Sequence, residues 1–523
     1  MAQGTQFLLP KAMSDGIPYL ESFVVFSAAV TVWVLYLDVR QLRKNKETVL
    51  PAELKGIIDE ERFAKSQVYQ ADKRVFSMFN SVLHFFVQCV EVIYAWPWAW
   101  KVAGDMVGTN EYYRSIAWVL ITHVINYPID IPVELYRAFV LEERHGFNKM
   151  TLSLFITDQL KSFGLAAVFI ALLVPIVIFV VHWGGEHFYI YIWAVAQLLI
   201  FVFMFVYPSF IMPLFNKYES LKDATLRSEI ESLAKSLLFP LTKLFQVDGS
   251  KRSSHSNAFM FGFWRNKRIV LFDTLLESKA ELDLSTGLPL GFEPDFATGK
   301  LVVKSLSAEG TAVGKWNEVH HGRLDEIKGG DTILAVKGES GDKMREEFEK
   351  TVTEKGTLIL TLERKPYATE EILAILCHEI GHWFHAHVLR TLVITSVHAF
   401  ILFRLYAFVM HSSSMFEAFG FSAGDSGVVI GLAIFMLIFS PVETVVGMGM
   451  IVMSRKNEFQ ADDFAVKQGR GQPLGSGLQK LVVDNLGDVN PDPWFSWFHH
   501  SHPTLLERLR NIREKESLRK KGE

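Results

Sequence analysis

Apolar residues gather in seven long stretches, near 18–37, 75–100, 115–136, 164–182, 188–212, 391–410 and 428–453. Each matches the roughly 20 residues a helix needs to cross the hydrocarbon layer of a membrane. The fourth is continuous and uncharged between 164 and 181, while Pro128 and Asp130 interrupt the third. Basic residues alternate between the connecting loops. Arg40, Arg43, Lys44 and Lys46 follow the first stretch, and Arg137, Arg144, Lys149 and Lys161 follow the third, whereas 182–187 and 411–427 contain no Lys or Arg. Lys101 and Arg114, after the second stretch, run against this alternation. The pattern predicts seven spans with a cytosolic C-terminus. Glu91, Asp130, Arg404 and Glu443 fall inside spans. Ionisable groups at that depth face protein or water, so they predict an aqueous space between the helices.

The polar stretch from 213 to 390 changes texture twice. Over 217–248, charges alternate with Leu, Ile and Phe at helical spacing, which predicts an amphipathic helix. Phe261-Gly262-Phe263 and 268–272 read as a short β-hairpin. Between 284 and 365, strand signals at 301–303, 332–336 and 357–362 are punctuated by glycine, with a helix expected over 343–353. This insert resembles a PDZ domain: Leu288-Pro289-Leu290-Gly291-Phe292 is similar to its carboxylate-binding loop, and 327–338 to its internal strand-turn-strand signature. The resemblance implies a sheet edge to which a C-terminal peptide can add as a strand.

The chain is 523 residues long, half of them hydrophobic, and its formal net charge is −4. No basic excess is present to neutralise phosphates, so no nucleic-acid partner is expected. Cys89 and Cys377 are too few for a disulfide framework, and Cys377 reads as a buried, inert thiol. The N-terminus lacks the basic and small-residue flanks of a cleaved signal peptide.

The concentrated chemistry lies at His378-Glu379-Ile380-Gly381-His382, an H-E-x-x-H motif. Four residues is about one helical turn, so both imidazoles face one way and can grip a zinc ion. Glu379, beside them, can take a proton from water. The helix is expected to start after Pro366, with Thr369 as N-cap and Glu370 and Glu371 at its positive end. Zinc hydrolases commonly complete such a site with a distant carboxylate. Glu458 and Asp462, four apart just after the seventh span, offer a third ligand and a partner that orients a ligating imidazole.

With Glu143-Arg144-His145-Gly146-Phe147-Asn148, Ser253-Ser254-His255-Ser256-Asn257-Ala258, 378–383, 458–462 and 501–508 in this order, the chain resembles the type I CaaX prenyl proteases. The resemblance covers nearly everything outside the insert. It implies a mostly α, polytopic membrane protein: seven transmembrane helices around an aqueous chamber, a cytosolic zinc-metalloprotease domain, and here an added β-rich insert. It implies His378, His382 and Glu458 as ligands of one Zn2+, Glu379 as the base and Asp462 behind the ligands. It also implies Asn257 and Arg508 on the substrate, and His502 as oxyanion stabiliser. His499 and His500 have no assigned role. The implied partners are membrane lipids and prenylated CaaX proteins, from which the last three residues are removed. A C-terminal peptide is the ligand expected of the insert, where a CaaX carboxylate would fit. The implied location is the endoplasmic-reticulum membrane and the nuclear envelope, and Lys520-Lys521 near the C-terminus is similar to a retrieval signal. The chain then divides into 1–212 (spans one to five), 213–283 (soluble protease segment), 284–365 (insert), 366–456 (zinc helix and spans six and seven) and 457–523 (C-terminal protease segment). Two other functions are compatible with these parts: quality-control proteolysis of unfolded proteins by a membrane zinc protease, and a non-catalytic membrane scaffold acting through the PDZ-like insert.

Overall fold

The computed structural model describes residues 17–522 apart from 263–264, 277, 286–288, 296–300, 308–309, 321–326, 328–330, 338–341, 354–356, 365, 423–424 and 426. Parts of the expected hairpin and of both insert motifs, at 263, 288, 328–330 and 338, therefore lie outside the described residues.

The protein is mostly helical. Six helical stretches among the described residues are long and apolar enough to cross a membrane: Tyr19–Asn45, Glu60–Val107, Glu111–Glu142, Leu152–Phe215, His387–Val409 and Val428–Lys467. Two of the seven expected spans fall within one of these. The stretch from Leu152 turns at Gly185, whose φ of +53° breaks the helix, and Leu152–Gly184 then packs against Phe188–Val206. Three of the four ionisable residues expected inside spans find partners on neighbouring helices. Asn126 donates to Glu91 at 2.5 Å, His398 meets Glu443 at 2.9 Å, and the Arg404 guanidinium lies 4.9 Å from the Tyr189 ring. A cavity of about 380 Å³ opens between the first two stretches, lined by Thr31, Ser81, His84, Gln88 and Glu91 among others.

The soluble core is a four-stranded sheet under helices. Strands β1 (Tyr218–Ser220), β2 (Leu241–Val247), β3 (Ala258–Phe261) and β4 (Lys267–Phe272) lie in the order β1-β2-β4-β3, with β2 and β4 parallel and the other pairs antiparallel. The single amphipathic helix expected over 217–248 is thus a strand, a shorter helix (Ala224–Ser236) and a strand. Pro240 ends the helical run, and Leu244 and Val247 of β2 fill the core beneath it. The zinc-motif helix, Thr369–Phe384, begins one residue earlier than Thr369 as cap would have it. The cap is Ala368, whose N–H donates to the Glu371 carboxylate at 2.8 Å. That carboxylate supplies one half of a capping box, satisfying the N–H of the cap residue.

The insert is a second sheet, in the order β5-β9-β8-β7-β6, antiparallel throughout. Its strands are β5 (Ser278–Ser285), β6 (Phe292–Asp295), β7 (Leu301–Leu306), β8 (Thr332–Val336) and β9 (Thr357–Arg364), accompanied by helices Ala312–His320 and Asp342–Thr353. Its first and last strands pair along their whole length, from Ser278 with Arg364 to Ser285 with Thr357. The chain therefore leaves the core and returns to it at one point. The insert buries its own apolar cluster around Leu301, Val303, Val336, Leu358 and Leu360, so the core continues undisturbed on either side, as inserted domains allow.

Candidate metal centre

The zinc-motif helix is buried along most of its length, from Glu371 to Cys377 without interruption. Burial pushes the Cys377 thiol up to about 12, so it packs as a neutral side chain. Gly381 explains how a second helix comes close. A Cβ there would stand 3.1 Å from Ala461 Cα and 3.2 Å from the Ala461 carbonyl oxygen, so a side chain would push the two helices apart by a few tenths of an ångström. The neighbour is the last part of Val428–Lys467, which carries Glu458.

His378, His382 and Glu458 converge. The two Nε2 atoms are 3.2 Å apart, His378 Nε2 is 3.4 Å from Glu458 Oε2, and His382 Nε2 is 3.3 Å from Glu458 Oε1. Ligands about 2.0–2.1 Å from a tetrahedral zinc ion lie roughly 3.3–3.4 Å from each other, so this donor set fits one. Glu458 Oε2 is buried with no hydrogen-bond partner, which a bound cation would satisfy. No other group of His, Cys, Asp and Glu among the described residues has metal-binding spacing.

Behind these groups, Asp462 is fully buried, and its Oδ1 lies 2.9 Å from His378 Nδ1. Arg508 lies beside Asp462 and Glu458. It is 8% exposed, donates to both Asp462 oxygens (Nε at 2.9 Å, Nη2 at 2.6 Å) and approaches Glu458 Oε2 at 3.4 Å. Its fork is committed to two carboxylates that would otherwise be buried without a counter-charge. Glu379 is half-buried on the same helix as the two histidines.

His502 stands at the rim, with Nε2 3.4 Å from Glu458 Oε1 and a side chain 62% exposed. A capping box fixes the turn that carries it. Thr504 Oγ1 accepts from Glu507 N–H, Glu507 accepts from Thr504 N–H at 2.7 Å, and Arg455 donates to both Glu507 oxygens. The T-x-x-E spacing of Thr504 and Glu507 is the sequence signal for this start. His499 and His500 are pulled down to about 4 by burial, with Arg74 adding to the effect, so both are neutral at pH 7.

Asn257 is exposed at the start of β3, the outer strand of the core sheet. Its carbonyl accepts from Phe272 N–H at 3.0 Å, and its Oδ1 accepts from Ala258 N–H at 2.8 Å. Ala258 and Met260 pack on the cluster that includes Cys377 and Ile380, which sets this strand against the zinc-motif helix. The 143–148 motif grips the segment leading to it: Phe147 stacks on His255 at 4.1 Å, and Ser254 N–H donates to the Phe147 carbonyl.

A buried His₂Glu set on two helices, at the end of a group of apolar helices, defines a membrane metallopeptidase. The comparisons narrow the class. Residues 38–217 match the family model described as CAAX prenyl protease N-terminal, five membrane helices, and residues 220–286 and 349–516 match peptidase family M48, on either side of the insert. The CAAX prenyl protease 1 homolog of Homo sapiens is 35% identical over 498 residues, covering 94% of each chain. CAAX prenyl protease 1 of Saccharomyces cerevisiae is 30% identical over 517 residues, covering 94% of this chain and 95% of its own. The crystal structure of S. mikatae Ste24p superimposes with a TM-score of 0.74 at 30% identity, covering 96% of this chain and all of that one. The chain belongs to the CAAX prenyl protease 1 family, within peptidase family M48.

Proposed function

We propose that the protein is a membrane zinc endopeptidase that removes the C-terminal tripeptide from prenylated CaaX proteins. The observation that carries this is the convergence of His378, His382 and Glu458 at tetrahedral spacing in a chain of this family. One zinc ion suits the three donors and leaves a fourth position for water or substrate. When bound, it supplies Lewis-acid polarisation of a carbonyl and lowers the pKa of water toward about 7. Glu379 takes the proton of the attacking water and delivers it to the leaving nitrogen. Asn257 and the free edge of β3 hold the substrate main chain as an added strand, which presents the scissile bond to the zinc-motif helix. His502 donates to the developing oxyanion, a contribution of about 2.7–4 kcal/mol in comparable sites. Asp462 and Arg508 keep His378 and Glu458 aimed.

The chain crosses the membrane seven times in this reading, counting the hairpin at Gly185 as two. The C-terminus is cytosolic, in the endoplasmic reticulum and nuclear envelope. The outer edge of the insert sheet is β6, and a substrate carboxylate held near it would recruit CaaX chains.

The test is to incubate the purified protein with farnesylated and unmodified CaaX peptides, with and without a chelator. The expected result is release of the tripeptide from the farnesylated peptide, lost on chelation and restored by zinc. Cleavage indifferent to the chelator overturns the reading. Equal cleavage of unprenylated, unfolded chains favours quality control instead.

A further inference from the structure

Besides Asp462 and Arg508, which back His378 and Glu458, a second chain of buried polar contacts ends on His382. His382 Nδ1 lies 2.9 Å from His387 Nδ1, and His387 Nε2 lies 2.9 Å from Gln460 Oε1. His387 is 3% exposed. The proton positions follow from the geometry. His382 turns Nε2 toward Glu458 and the other histidine, so its proton sits on Nδ1. That N–H needs an acceptor, so His387 Nδ1 carries no proton and its own N–H is at Nε2. Gln460 Oε1, which can only accept, receives that N–H and fixes the tautomer.

The backbone is bent to make this contact. Helical spacing puts residues three and four apart on one face, and His387 is five beyond His382. The zinc-motif helix stops at Phe384, and Ala386 adopts the left-handed conformation (φ +52°, ψ +36°), which an L side chain enters only at a cost. The next helix then starts at His387 and returns its ring to the site, with its centroid 5.0 Å from that of His382. A strained residue beside a ligand, retained where glycine would relieve it, points to a function for the turn.

We propose that His387, held by Gln460, is the positioning residue for zinc ligand His382. The inference rests on the metal reading above and extends it. The two imidazole ligands are then supported differently: His378 by a carboxylate, Asp462, and His382 by a neutral imidazole. A neutral acceptor orients His382 without adding another negative charge to a site that already holds Glu379, Glu458 and Asp462. The cation keeps more of its polarising charge toward the substrate.

Zinc affinity of the full-length protein, measured by competition with a chromogenic chelator, tests this alongside thermal unfolding of the metal-free form. His387→Phe removes the acceptor, and zinc affinity should fall at least tenfold. His387→Asn puts an amide oxygen near the Nδ1 position and should recover affinity to within about threefold of the wild type. Gln460→Met should give an intermediate loss, and it also serves as the independent variant if His387→Phe does not fold. The metal-free melting temperatures should not follow this order. If Phe and Asn lower affinity equally, or neither His387→Phe nor Gln460→Met lowers it beyond threefold, the positioning role is overturned. A wild-type protein that binds no zinc would instead sink the metal reading itself.

Discussion

The soluble core and the membrane helices use the same apolar side chains and pack them oppositely. Around the zinc-motif helix, Leu373, Ala374, Leu376 and Cys377 are 0–3% exposed, and one continuous cluster joins that helix to β2, β4 and the C-terminal helices. In the apolar stretches, Leu172, Leu198, Phe201 and Ile401 are 49–62% exposed. Close packing is placed where ligand geometry must hold to tenths of an ångström. Looser contact is found in the apolar stretches, where these side chains stand uncovered. The contrast teaches that the two regions are packed to different standards: the core holds its side chains fixed, and the apolar helices leave many of theirs open.

The sharpest test of the core is chemical. Glu379→Gln keeps the shape and burial of residue 379 but removes its ability to accept a proton. Zinc content should remain that of the wild type while kcat falls about 10²–10⁴-fold. Retained turnover would show that the site does not use this helix for proton transfer. The next test compares packing directly. Leu271→Ala, at a fully buried site on β4, should cost about 2–5 kcal/mol, whereas Leu198→Ala should change stability by less than about 0.5 kcal/mol. Similar losses in detergent thermal unfolding would mean the membrane helices are as tightly packed as the core.

The two regions also differed in how much could be read beforehand. The approximate ranges of the apolar stretches were visible because about twenty apolar residues in a row have few other readings. The pairing of His378 with His382 is legible because helical periodicity puts positions four apart on one face, whereas Glu458 is suggested only by the carboxylate that zinc hydrolases commonly add. Strand β2 was missed because Lys243 and the flanking charges gave it a helical texture, and its pairing with β4 is a long-range contact. The contacts of Arg508 with Asp462 and Glu458 carry no signal in the sequence, because they join helices that are far apart in the chain. His387 was invisible to any local rule, since only the left-handed turn at Ala386 brings it to His382.

A smaller effect is expected from the insert. Because Ser278 and Arg364 are paired, replacing 279–363 with a short Gly-Ser link should leave the core folded. If the insert recruits substrate, KM for a prenylated protein should rise several-fold with kcat nearly unchanged. An unchanged KM would assign the insert another task.

The least effect on turnover, and the most informative for the join between the regions, belongs to Asp488. It sits at the end of the first apolar helix, where Gln41 donates to its Oδ2 at 2.8 Å while Gln41 Oε1 accepts from Asp492 N–H. Burial raises its carboxyl to about 6, outweighing the backbone N–H of Asn490 and the charges of Arg74 and Lys73. A raised acid holds its proton more tightly in the folded chain than in the unfolded one. Its stabilising contribution is therefore complete below the ordinary value near 3.8 and is lost as pH rises through about 6. Above that, a charged carboxylate stays buried at the seam. Asp488→Asn removes the charge and keeps an acceptor for Gln41, so it should stabilise the protein by about 1–3 kcal/mol at pH 7.5 and by much less at pH 4.5. Thermal unfolding at both pH values decides it, and a gain independent of pH would mean that the seam tolerates the charge.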